Sequence, residues 1–521
     1  MKRFIPYPLL FVTAIILDRV VISSAQIDID QSLRALFISF LFITIVTNII
    51  QYFTEDWHYT NFITLMIPVA FIVYRSSYGF LKVKFPHQAV HLGLALILLL
   101  ALAFAAVANR KVWRSIKNPA LVTRYFYLTF TVLLSFQVIR LVSDSSRMIM
   151  NINQPRTTAI TEPDLEIHLQ NRSSPDIYVI ILDGYARQDV LHDMYDLDNS
   201  EFIGWLEKRG FYVANDSHSN YIQTVYIMTS FWNFDYLQSW DSSHDYAQYL
   251  FQPIQNNRVF HSLDEIGYTT VSFEGATSFV QIKNADVYLS KFLPLNKFET
   301  LLLVDSPLEP LSNIFDLRLP LQTYPVRRQR LLYQFDMLKE VPTSIRGSKI
   351  VYAHILAPHP PFVFDQNSDI REPLVPFTLM EGSGFIGGRE EYWDGYREQV
   401  KFVNREIVKG IDAILAKSET PPIIVLMGDH GPASMFNWNI EAPACLWERT
   451  SILYAILLPE HQNDDTMYPS ITPVNTFRVI FNTYFGTDLP ILEDNTYMMS
   501  PALEVDVTGM RDSKEGCATP D

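Results

Sequence analysis

The chain has 521 residues, of which 48% are hydrophobic and 13% aromatic, and its formal net charge at pH 7 is −15. Its mean hydropathy of +0.08 is too high for an ordinary soluble protein of this length, so we expect a membrane region and one large domain. The charge is divided unevenly, with +8 on residues 1–142 and −23 on the remainder. A domain this acidic is a poor general binder of polyanions, which excludes nucleic acid as its partner.

The first 142 residues contain five long apolar stretches, and no comparable stretch follows residue 145. We interpret these stretches as helices that cross a bilayer. The sequence therefore predicts a membrane region of about five transmembrane helices, with four or six as alternatives. The five stretches are residues 4–25, 33–53, 60–74, 91–108 and 121–142.

The distribution of basic residues predicts the orientation of these helices. We place Lys2, Arg3 and the basic segment 110–124 in the cytoplasm, so that the chain beyond residue 142 lies on the outer side of the cell membrane. Residues 1–25 also have the basic start, short apolar core and small-residue end of a signal peptide. Cleavage of such a peptide would leave four spans and the same extracytoplasmic domain.

Residues 143–175 are polar, contain three prolines and are predicted to be a linker. The remaining residues, 176–521, alternate short β-branched or aromatic runs with helical patterns. This alternation predicts an α/β domain with a mostly parallel central sheet covered by helices on both faces. The predicted strands are residues 176–182, 268–273, 349–356, 422–427 and 451–458.

The clearest helical pattern of the outer domain spans residues 391–417. Apolar residues recur there at helical spacing from Tyr396 to Leu415. We therefore assign the aromatic residues of this helix, and Asn404, to packing rather than to a functional site.

Acidic and histidine residues follow three of the predicted strands. Asp183 comes directly after the first strand, His354 and His359 come at the end of the third, and Asp429 with His430 follows the fourth. Ligands of such sheets gather at the carboxyl ends of the strands, so these side chains are expected near one another. Carboxylates and imidazoles that converge from separate elements are typical ligands of a divalent metal.

Four stretches of the outer domain resemble the alkaline phosphatase superfamily in its sulfatase-like branch, and they occur in the order found in that family. The five-span anchor with an external domain also resembles lipoteichoic-acid synthases and, more loosely, phosphoethanolamine transferases. The resemblance implies a sulfatase-like α/β fold and a metal-dependent enzyme. The matching stretches are YVIILDGYAR (178–187), SNYIQTVYIMTS (219–230), HILAPHPPFVFD (354–365) and PPIIVLMGDHGP (421–432).

The resemblance also implies the metal site. Asp183, Asp429 and His430 would bind one divalent ion together with Thr224, whose hydroxyl falls at the position of the family's nucleophile. Mixed carboxylate and imidazole ligands favour Mn²⁺ or Zn²⁺, with Mg²⁺ or Ca²⁺ as alternatives. A threonine hydroxyl is a weak nucleophile, and both the ion and the positive end of a helix dipole would activate it.

The histidines of the third strand have two alternative roles. His354 and His359 fall where relatives have histidines for a second metal or for the phosphate of the substrate, and either could protonate the leaving group. The nucleophile has alternatives as well, because Thr229 and Ser230 lie on the same stretch as Thr224. The residues after Thr224, VYIMT, lack the Pro and Arg of the sulfatase motif, which favours a phosphate ester over a sulfate ester.

The leading hypothesis is a phospho-group transferase or phosphoric-ester hydrolase. Its donor would be a phospholipid or a lipid-linked phosphate of the membrane bilayer, and its acceptor an envelope glycan or lipid. A sulfatase and a non-catalytic envelope scaffold are the alternatives. The two cysteines, Cys445 and Cys517, could form one disulfide on the outer side, which is too few for a disulfide framework. The sequence leaves the oligomeric state open.

Overall fold

The computed structural model divides the chain into two compact units. The first comprises Met1–Thr157 with Phe292–Gln322, and the second comprises Thr158–Lys291 with Thr323–Asp521. The structure describes residues 5–22, 30–81, 93–94, 112–152, 167, 174–239, 246–277, 280–292, 295–303, 306, 323–371, 373, 375, 377–434, 436–437, 445–460, 466–500 and 503–517.

The first unit consists of apolar helices, namely α1 (Tyr7–Ile22), α2 (Asp30–Thr54), α3 (Trp57–Leu81) and α4 (Pro119–Ile152). Within the described residues, three segments are long and apolar enough to cross a membrane. Helix α1 has 16 residues and is shorter than a span of about 20 residues. The predicted span 91–108 lies, apart from residues 93 and 94, outside the described residues. The three segments are Ser32–Thr54, Trp57–Tyr78 and Pro119–Leu141.

Large apolar side chains on these helices face outward. Phe37 and Phe53 of α2 are 69% and 75% exposed, and Leu128 of α4 is 64% exposed. Such continuous apolar exposure is unusual for a protein in water and suits the interior of a bilayer. The first unit is therefore a membrane anchor by composition and by surface.

Helices α3 and α4 are longer than the spans predicted at 60–74 and 121–142. In α3, the polar side chains of Asn61 and Thr64 donate to the carbonyls of Trp57 and Thr60 one turn earlier. Polar residues that bond their own helix in this way do not end it. Helix α4 continues to Ile152, through the first part of the predicted linker.

The second unit is built on a seven-stranded sheet with the order β2-β7-β6-β1-β5-β3-β4. Strands β6, β1, β5, β3 and β4 run parallel to one another, whereas β7 is antiparallel to both β6 and β2. The strands are β1 (Ile177–Leu182), β2 (Tyr212–Val213), β3 (Thr269–Phe273), β4 (Val287–Leu289), β5 (Lys349–Ile355), β6 (Ile423–Met427) and β7 (Tyr454–Leu457). A separate antiparallel pair consists of β8 (Tyr497–Ser500) and β9 (Leu503–Asp506).

Helices cover both faces of this sheet, which confirms the predicted fold class. Successive side chains of β1 enter opposite cores, so that Tyr178 and Ile180 pack on one face and Val179 and Ile181 on the other. The helices are α5 (Gln188–Tyr195), α6 (Ser200–Lys208), α7 (Thr224–Asn233), α8 (Tyr246–Gln255), α9 (Arg258–Glu265), α10 (Tyr324–Ser344), α11 (Arg389–Lys417), α12 (Leu446–Thr450) and α13 (Thr476–Tyr484).

All five predicted strands are present to within a few residues, and the predicted helix 391–417 is α11. Strands β2, β4, β8 and β9 were not predicted because each has only two to four residues and no extended apolar run. Cys445 and Cys517 form a disulfide bond, which ties the segment after β9 to the start of α12.

A short helix of the first unit comes from a distant part of the sequence. This inserted helix, Lys297–Leu303, belongs to the segment Phe292–Gln322, which lies between β4 and α10 in the chain. Its Phe298 is fully buried in a cluster with Ile16 of α1 and Ala35 of α2. The chain therefore leaves the sheet unit after β4, packs against the apolar helices, and returns at α10.

Candidate active site

The three strands that carry the predicted site residues are adjacent in the sheet. Strand β1 lies between β5 and β6 and is parallel to both. Their carboxyl ends therefore meet at one edge, where Asp183 follows β1, His354 lies in β5, and Asp429 and His430 follow β6. The structure thus brings together at this edge residues that are up to about 250 positions apart.

Glycines on both sides of Asp429–His430 allow the backbone to pack closely at this edge. A Cβ atom on Gly428 would lie 2.4 Å from the carbonyl oxygen of Tyr185, and one on Gly431 would lie 1.9 Å from that of Glu448. Any side chain at either position would force the backbone apart. Packing therefore requires glycine at both positions.

Three ligand atoms converge at the centre of the site. His430 Nε2 lies 3.7 Å from Asp183 Oδ1 and 3.4 Å from Asp429 Oδ2. Both of these carboxylate oxygens are buried and have no hydrogen-bond partner among the described residues. Buried carboxylate oxygens in such a position require a cation, because an uncompensated buried charge is costly.

The other polar atoms of these ligands are held in place. Asp429 Oδ1 accepts hydrogen bonds from the backbone N–H of Gly184 and of His430, at 3.1 and 2.9 Å. His430 Nδ1 donates to the Gly431 carbonyl at 2.9 Å, which leaves the Nε2 lone pair directed at the centre. Asp183 Oδ2 accepts from His354 Nε2 at 3.0 Å. The residues therefore fit a divalent ion that Asp183, Asp429 and His430 would hold.

The hydroxyl of Thr224 lies next to this group. Thr224 is the first residue of α7 and is half-buried, and its Oγ1 lies 3.0 Å from His430 Nε2. The two alternative nucleophiles are engaged elsewhere, since Thr229 Oγ1 donates to the Val225 carbonyl and Ser230 Oγ to the Asp235 carbonyl. Of the three hydroxyl residues on this stretch, Thr224 is therefore the one placed beside the candidate ligands.

The two histidines of the third stretch have different surroundings. His354 is fully buried between Asp183 and the hydroxyl of Tyr352, which lies 3.2 Å from its Nδ1. This position suits a residue that orients Asp183. His359 follows β5, its Nδ1 donates to the Pro360 carbonyl at 2.5 Å, and its Nε2 faces Glu381. The Nε2 of His359 is thus the imidazole atom of this pair that can exchange a proton with a ligand.

Two charged residues at the site were not found from the sequence. Glu381 Oε2 lies 3.6 Å from His359 Nε2, and Glu381 Oε1 accepts from Arg449 Nη1 at 2.6 Å. Arg449 also donates to the carbonyls of Ile222, just before Thr224, and of Gly431. It therefore joins the loop before Thr224, the loop after β6 and the loop of Glu381. Glu381 lies on a loop and Arg449 on the five-residue helix α12, and neither stretch has a periodic pattern; only the charges beside the apolar run of β7 hint at Arg449.

Helix α11 supports the turn that carries Asp183. Tyr396 donates to the Gly184 carbonyl at 2.8 Å and accepts from the Ala186 N–H at 3.1 Å. The hydroxyl of Tyr185 donates to Asn404 Oδ1 at 2.5 Å. Tyr396 and Asn404 thus pack inside the domain, as predicted. Their hydrogen bonds also hold the turn that follows Asp183.

The electrostatics favour charged carboxylates at this edge. Burial opposes the ionisation of Asp183, but His359, His354 and His430 together hold its pKa well below the usual range. Burial likewise opposes the ionisation of Glu381, and Arg449 and His359 outweigh it and lower its pKa. Both groups are therefore carboxylates at neutral pH.

A second group of acidic and histidine residues lies elsewhere on the domain. Asp216, His218 and Asp512 are close enough to share an ion, but the guanidinium of Arg187 lies 3.5 Å from Asp216 and 3.8 Å from Asp512. The positive charge that these carboxylates need is thus supplied by the chain itself. We regard this group as an ion-pair network.

A cavity of about 490 Å³ adjoins the site. Pro360 and Met380, which line it, are the neighbours in sequence of His359 and Glu381. Aromatic side chains of Phe362 and Phe385 form much of its wall.

Neither a protein-family model nor a curated protein sequence matches the chain. Among solved structures, the C-terminal periplasmic domain of EptC from Escherichia coli, in complex with zinc, is similar at 12% identity and a TM-score of 0.45, covering 68% of this chain and 99% of that one. The periplasmic domain of the phosphoethanolamine transferase EptC from Campylobacter jejuni is similar at 13% identity and a TM-score of 0.37, covering 60% and 89%. A sulfatase from Bacteroides thetaiotaomicron, described as putative, is similar at 12% identity and a TM-score of 0.36, covering 64% and 75%. These similar structures are periplasmic domains of EptC proteins and a sulfatase.

Proposed function

We propose that the chain is a membrane-anchored, metal-dependent enzyme that transfers or hydrolyses a phospho group through a covalent intermediate on Thr224. The observation that carries this proposal is the position of Thr224 Oγ1, 3.0 Å from His430 Nε2, beside two buried carboxylate oxygens that have no hydrogen-bond partner in the described part of the chain. The donor would be a phospholipid or lipid-linked phosphate, and the acceptor an envelope glycan or lipid. Hydrolysis of such an ester is the same chemistry with water as the acceptor.

The residues divide the work of the proposed reaction between them. Asp183, Asp429 and His430 would hold one divalent ion, Mn²⁺ or Zn²⁺, which supplies neutralisation of phosphoryl charge and favours the ionised hydroxyl of Thr224. The N-terminus of α7 adds the positive end of its dipole at the same hydroxyl.

The covalent step follows from the placement of Thr224. Its Oγ1 attacks phosphorus and forms a phosphothreonine, while the bond between phosphorus and the leaving oxygen breaks. His359 Nε2 would deliver the proton to the leaving oxygen. In the second step, the hydroxyl of the acceptor or of water attacks phosphorus, its proton passes to His359, and Thr224 is released.

The proposed location follows from the distribution of basic residues. The proposal puts the N-terminus, with Lys2 and Arg3, in the cytoplasm and the sheet unit on the outer side of the membrane.

Substitution of Thr224 in the full chain tests the proposal. We expect Thr224→Ala to lower turnover by roughly 10³-fold or more while retaining the divalent ion, because three ligands remain. Thr224→Ser should keep measurable turnover. The readouts are release of a chromogenic phosphate ester, transfer from a lipid donor, metal content, and the intact mass of the protein after incubation with membrane lipids.

The matched control is Thr229→Ala on the same helix, which removes a buried hydroxyl and should cost only about 1 kcal/mol of stability. Turnover by Thr224→Ala at the wild-type rate would contradict the nucleophile assignment. Absence of both metal and turnover in the wild-type chain would favour the scaffold, and turnover of sulfate but not phosphate esters would favour a sulfatase.

A further inference from the structure

Arg449 is a buried arginine whose side chain donates hydrogen bonds to two of the loops that form the candidate site. It lies in α12 and is only 1% exposed. Its Nε donates at 2.8 Å to the carbonyl of Ile222, two residues before Thr224. Its Nη1 carries two hydrogens and donates to the Gly431 carbonyl at 3.1 Å and to Glu381 Oε1 at 2.6 Å. The loop before Thr224 and the loop after β6 are therefore bonded to one planar guanidinium.

The bond to Gly431 also reaches the ring of a candidate metal ligand. The Gly431 carbonyl accepts from His430 Nδ1 at 2.9 Å, and this bond directs His430 Nε2 at the centre of the site. The backbone N–H of Gly431 donates to the carbonyl of Arg449 at 2.8 Å. Both backbone polar groups of Gly431 are thus bonded to Arg449, so this one residue fixes the carbonyl that orients His430.

The backbone of α12 holds the other loop as well. The carbonyl of Thr450 accepts from the backbone N–H of Ser219 at 2.7 Å, at the start of the stretch that leads to Thr224. Thr224 Oγ1 and His430 Nε2 lie 3.0 Å apart. These two atoms therefore belong to loops that are both bonded to the same turn of α12.

Stability alone does not explain a charged residue at this position. Glu381, the carboxylate that Arg449 bonds, is itself only 6% exposed. Removing two charges from water is costly, and a pair of apolar side chains could stabilise the fold equally well. Apolar side chains could not, however, donate hydrogen bonds to carbonyls on two different loops, whereas a guanidinium offers N–H groups in a fixed plane. The fixed directions of these N–H groups are what Arg449 adds to the site.

We propose that Arg449 is a positioning residue, which fixes the distance between the hydroxyl of Thr224 and the imidazole of His430. The inference rests on the proposed function for the roles of these two residues as nucleophile and metal ligand. A misplacement of about 1 Å can lower the rate of a reaction about 100-fold. Loss of the bonds from Arg449 should therefore lower turnover even where the ion is still bound.

The test replaces Arg449 with lysine in the full chain and uses Co²⁺ as the probe ion. Lysine keeps the charge beside Glu381, but its ammonium does not reproduce the spacing of the guanidinium N–H groups. We expect Arg449→Lys to bind Co²⁺, because Asp183, Asp429 and His430 remain. The visible absorption bands of bound Co²⁺ report the geometry of its ligands, and they should shift from those of wild type.

Turnover is measured per folded, metal-loaded molecule, with the chromogenic phosphate ester and the lipid donor. We expect the kcat of Arg449→Lys to be at least tenfold lower than that of wild type. Its KM should stay within twofold, because Nε and Nη1 of Arg449 bond the chain and not the substrate. A purely structural arginine would lower the melting temperature and leave the Co²⁺ bands and kcat at their wild-type values, and that outcome would overturn the inference.

The matched control is Arg478→Lys, at the other end of α7. Arg478 is 7% exposed, and its Nε and Nη1 donate at 2.8 Å to the carbonyls of Phe234, the residue that follows α7, and of Pro490. It is a buried arginine with the same kind of bonds, about 15 Å along the helix from Thr224. We expect Arg478→Lys to lower the melting temperature and to leave the Co²⁺ bands and kcat unchanged. Equal shifts in both variants would overturn the inference.

Folding of each variant is checked by thermal melting. If Arg449→Lys does not fold, the double variant Arg449→Gln/Glu381→Gln, which leaves neither buried charge unpaired, decides by the same Co²⁺ bands. Wild-type bands in that variant would contradict the positioning role, as would a wild-type chain that binds no Co²⁺. A wild-type chain whose Co²⁺ bands depend on Arg449 but which turns over no ester would refute the proposed function and leave this inference standing.

Discussion

Two buried aspartates, Asp176 and Asp183, flank β1, and their carboxylate oxygens have different partners. Asp176, before the strand, accepts from the Lys349 ammonium at 2.7 Å and from the Lys349 backbone N–H at 3.2 Å. Asp183, after the strand, has one oxygen bonded to His354 and one that no described residue bonds. A lysine of the chain neutralises the aspartate at the amino end of the strand, whereas the aspartate at the carboxyl end belongs to a group of residues that could hold a metal ion.

The pKa values of the two aspartates shift in opposite directions. Burial raises the pKa of Asp176, and the hydrogen bond from Lys349 offsets this only in part. Burial acts on Asp183 in the same sense, but three histidines lower its pKa further than burial raises it. The direction of each pKa shift is therefore set by the charged residues around the carboxylate and not by its place next to β1.

The largest expected effect comes from the carboxyl end. Asp183→Asn removes a charged ligand and should weaken binding of Mn²⁺ or Zn²⁺ by about 100-fold or more. The fold should change little, because the amide can still accept from His354. Calorimetry and metal analysis of the full chain measure the first effect, and melting in chelator measures the second. If Asp183→Asn bound the metal as tightly as wild type, Asp183 would not be a metal ligand.

The amino end should respond in the opposite manner. Asp176→Asn leaves the Lys349 ammonium buried without its carboxylate and should lower the free energy of unfolding by about 3 kcal/mol, with no change in metal affinity. The double variant Asp176→Asn/Lys349→Met removes both charges and should regain most of that stability. Denaturant titration of the single and double variants measures both values. A weaker metal affinity in Asp176→Asn would mean that the two ends are coupled.

The smallest expected effect is a loss of stability at low pH that arises at His218, away from both ends of β1. Burial, with help from Arg187 and Arg511, lowers the pKa of His218 from 6.5 to about 4. The unfolded chain therefore takes up this proton first, so stability is present above pH 6.5 and is lost as the pH falls towards 4. The loss should be about 2 kcal/mol between pH 7 and pH 5.

His218→Gln should remove this part of the pH dependence, as measured by denaturant titration at each pH. Asp183 should contribute little over the same interval, since its pKa lies well below it. An unchanged acid response in His218→Gln would assign the effect to another group.

Much of the fold could be predicted because β1, β5 and β6 are continuous apolar runs, whose length and composition mark buried parallel strands. The same pattern locates the carboxyl ends, and so Asp183, Asp429 and His430 could be placed together. The division of the chain at residues 142 and 175 stays a prediction. The grouping of Phe292–Gln322 with the apolar helices could not be foreseen, because it depends on tertiary packing of Phe298 and not on local pattern.

The other charged residues of the site could not be predicted from the sequence, because their role also depends on tertiary packing. Glu381 and Arg449 reach the site from a loop and from the short helix α12, whose spacing along the chain carries no period. Their role depends on which backbone carbonyls and charges lie opposite them, which only the folded chain determines. The roles of Thr224 and His359 as nucleophile and proton donor stay predictions, to be tested by turnover.

The inserted helix has a practical consequence for producing this protein without its membrane anchor. A fragment that begins after residue 157 would still contain Phe292–Gln322, and would expose Phe298 without the Ile16 and Ala35 that bury it. An uncovered apolar helix of this kind promotes aggregation in water. A short Gly/Ser loop from Lys291 to Thr323 in place of that segment should give a more soluble fragment, since closing a flexible loop costs little.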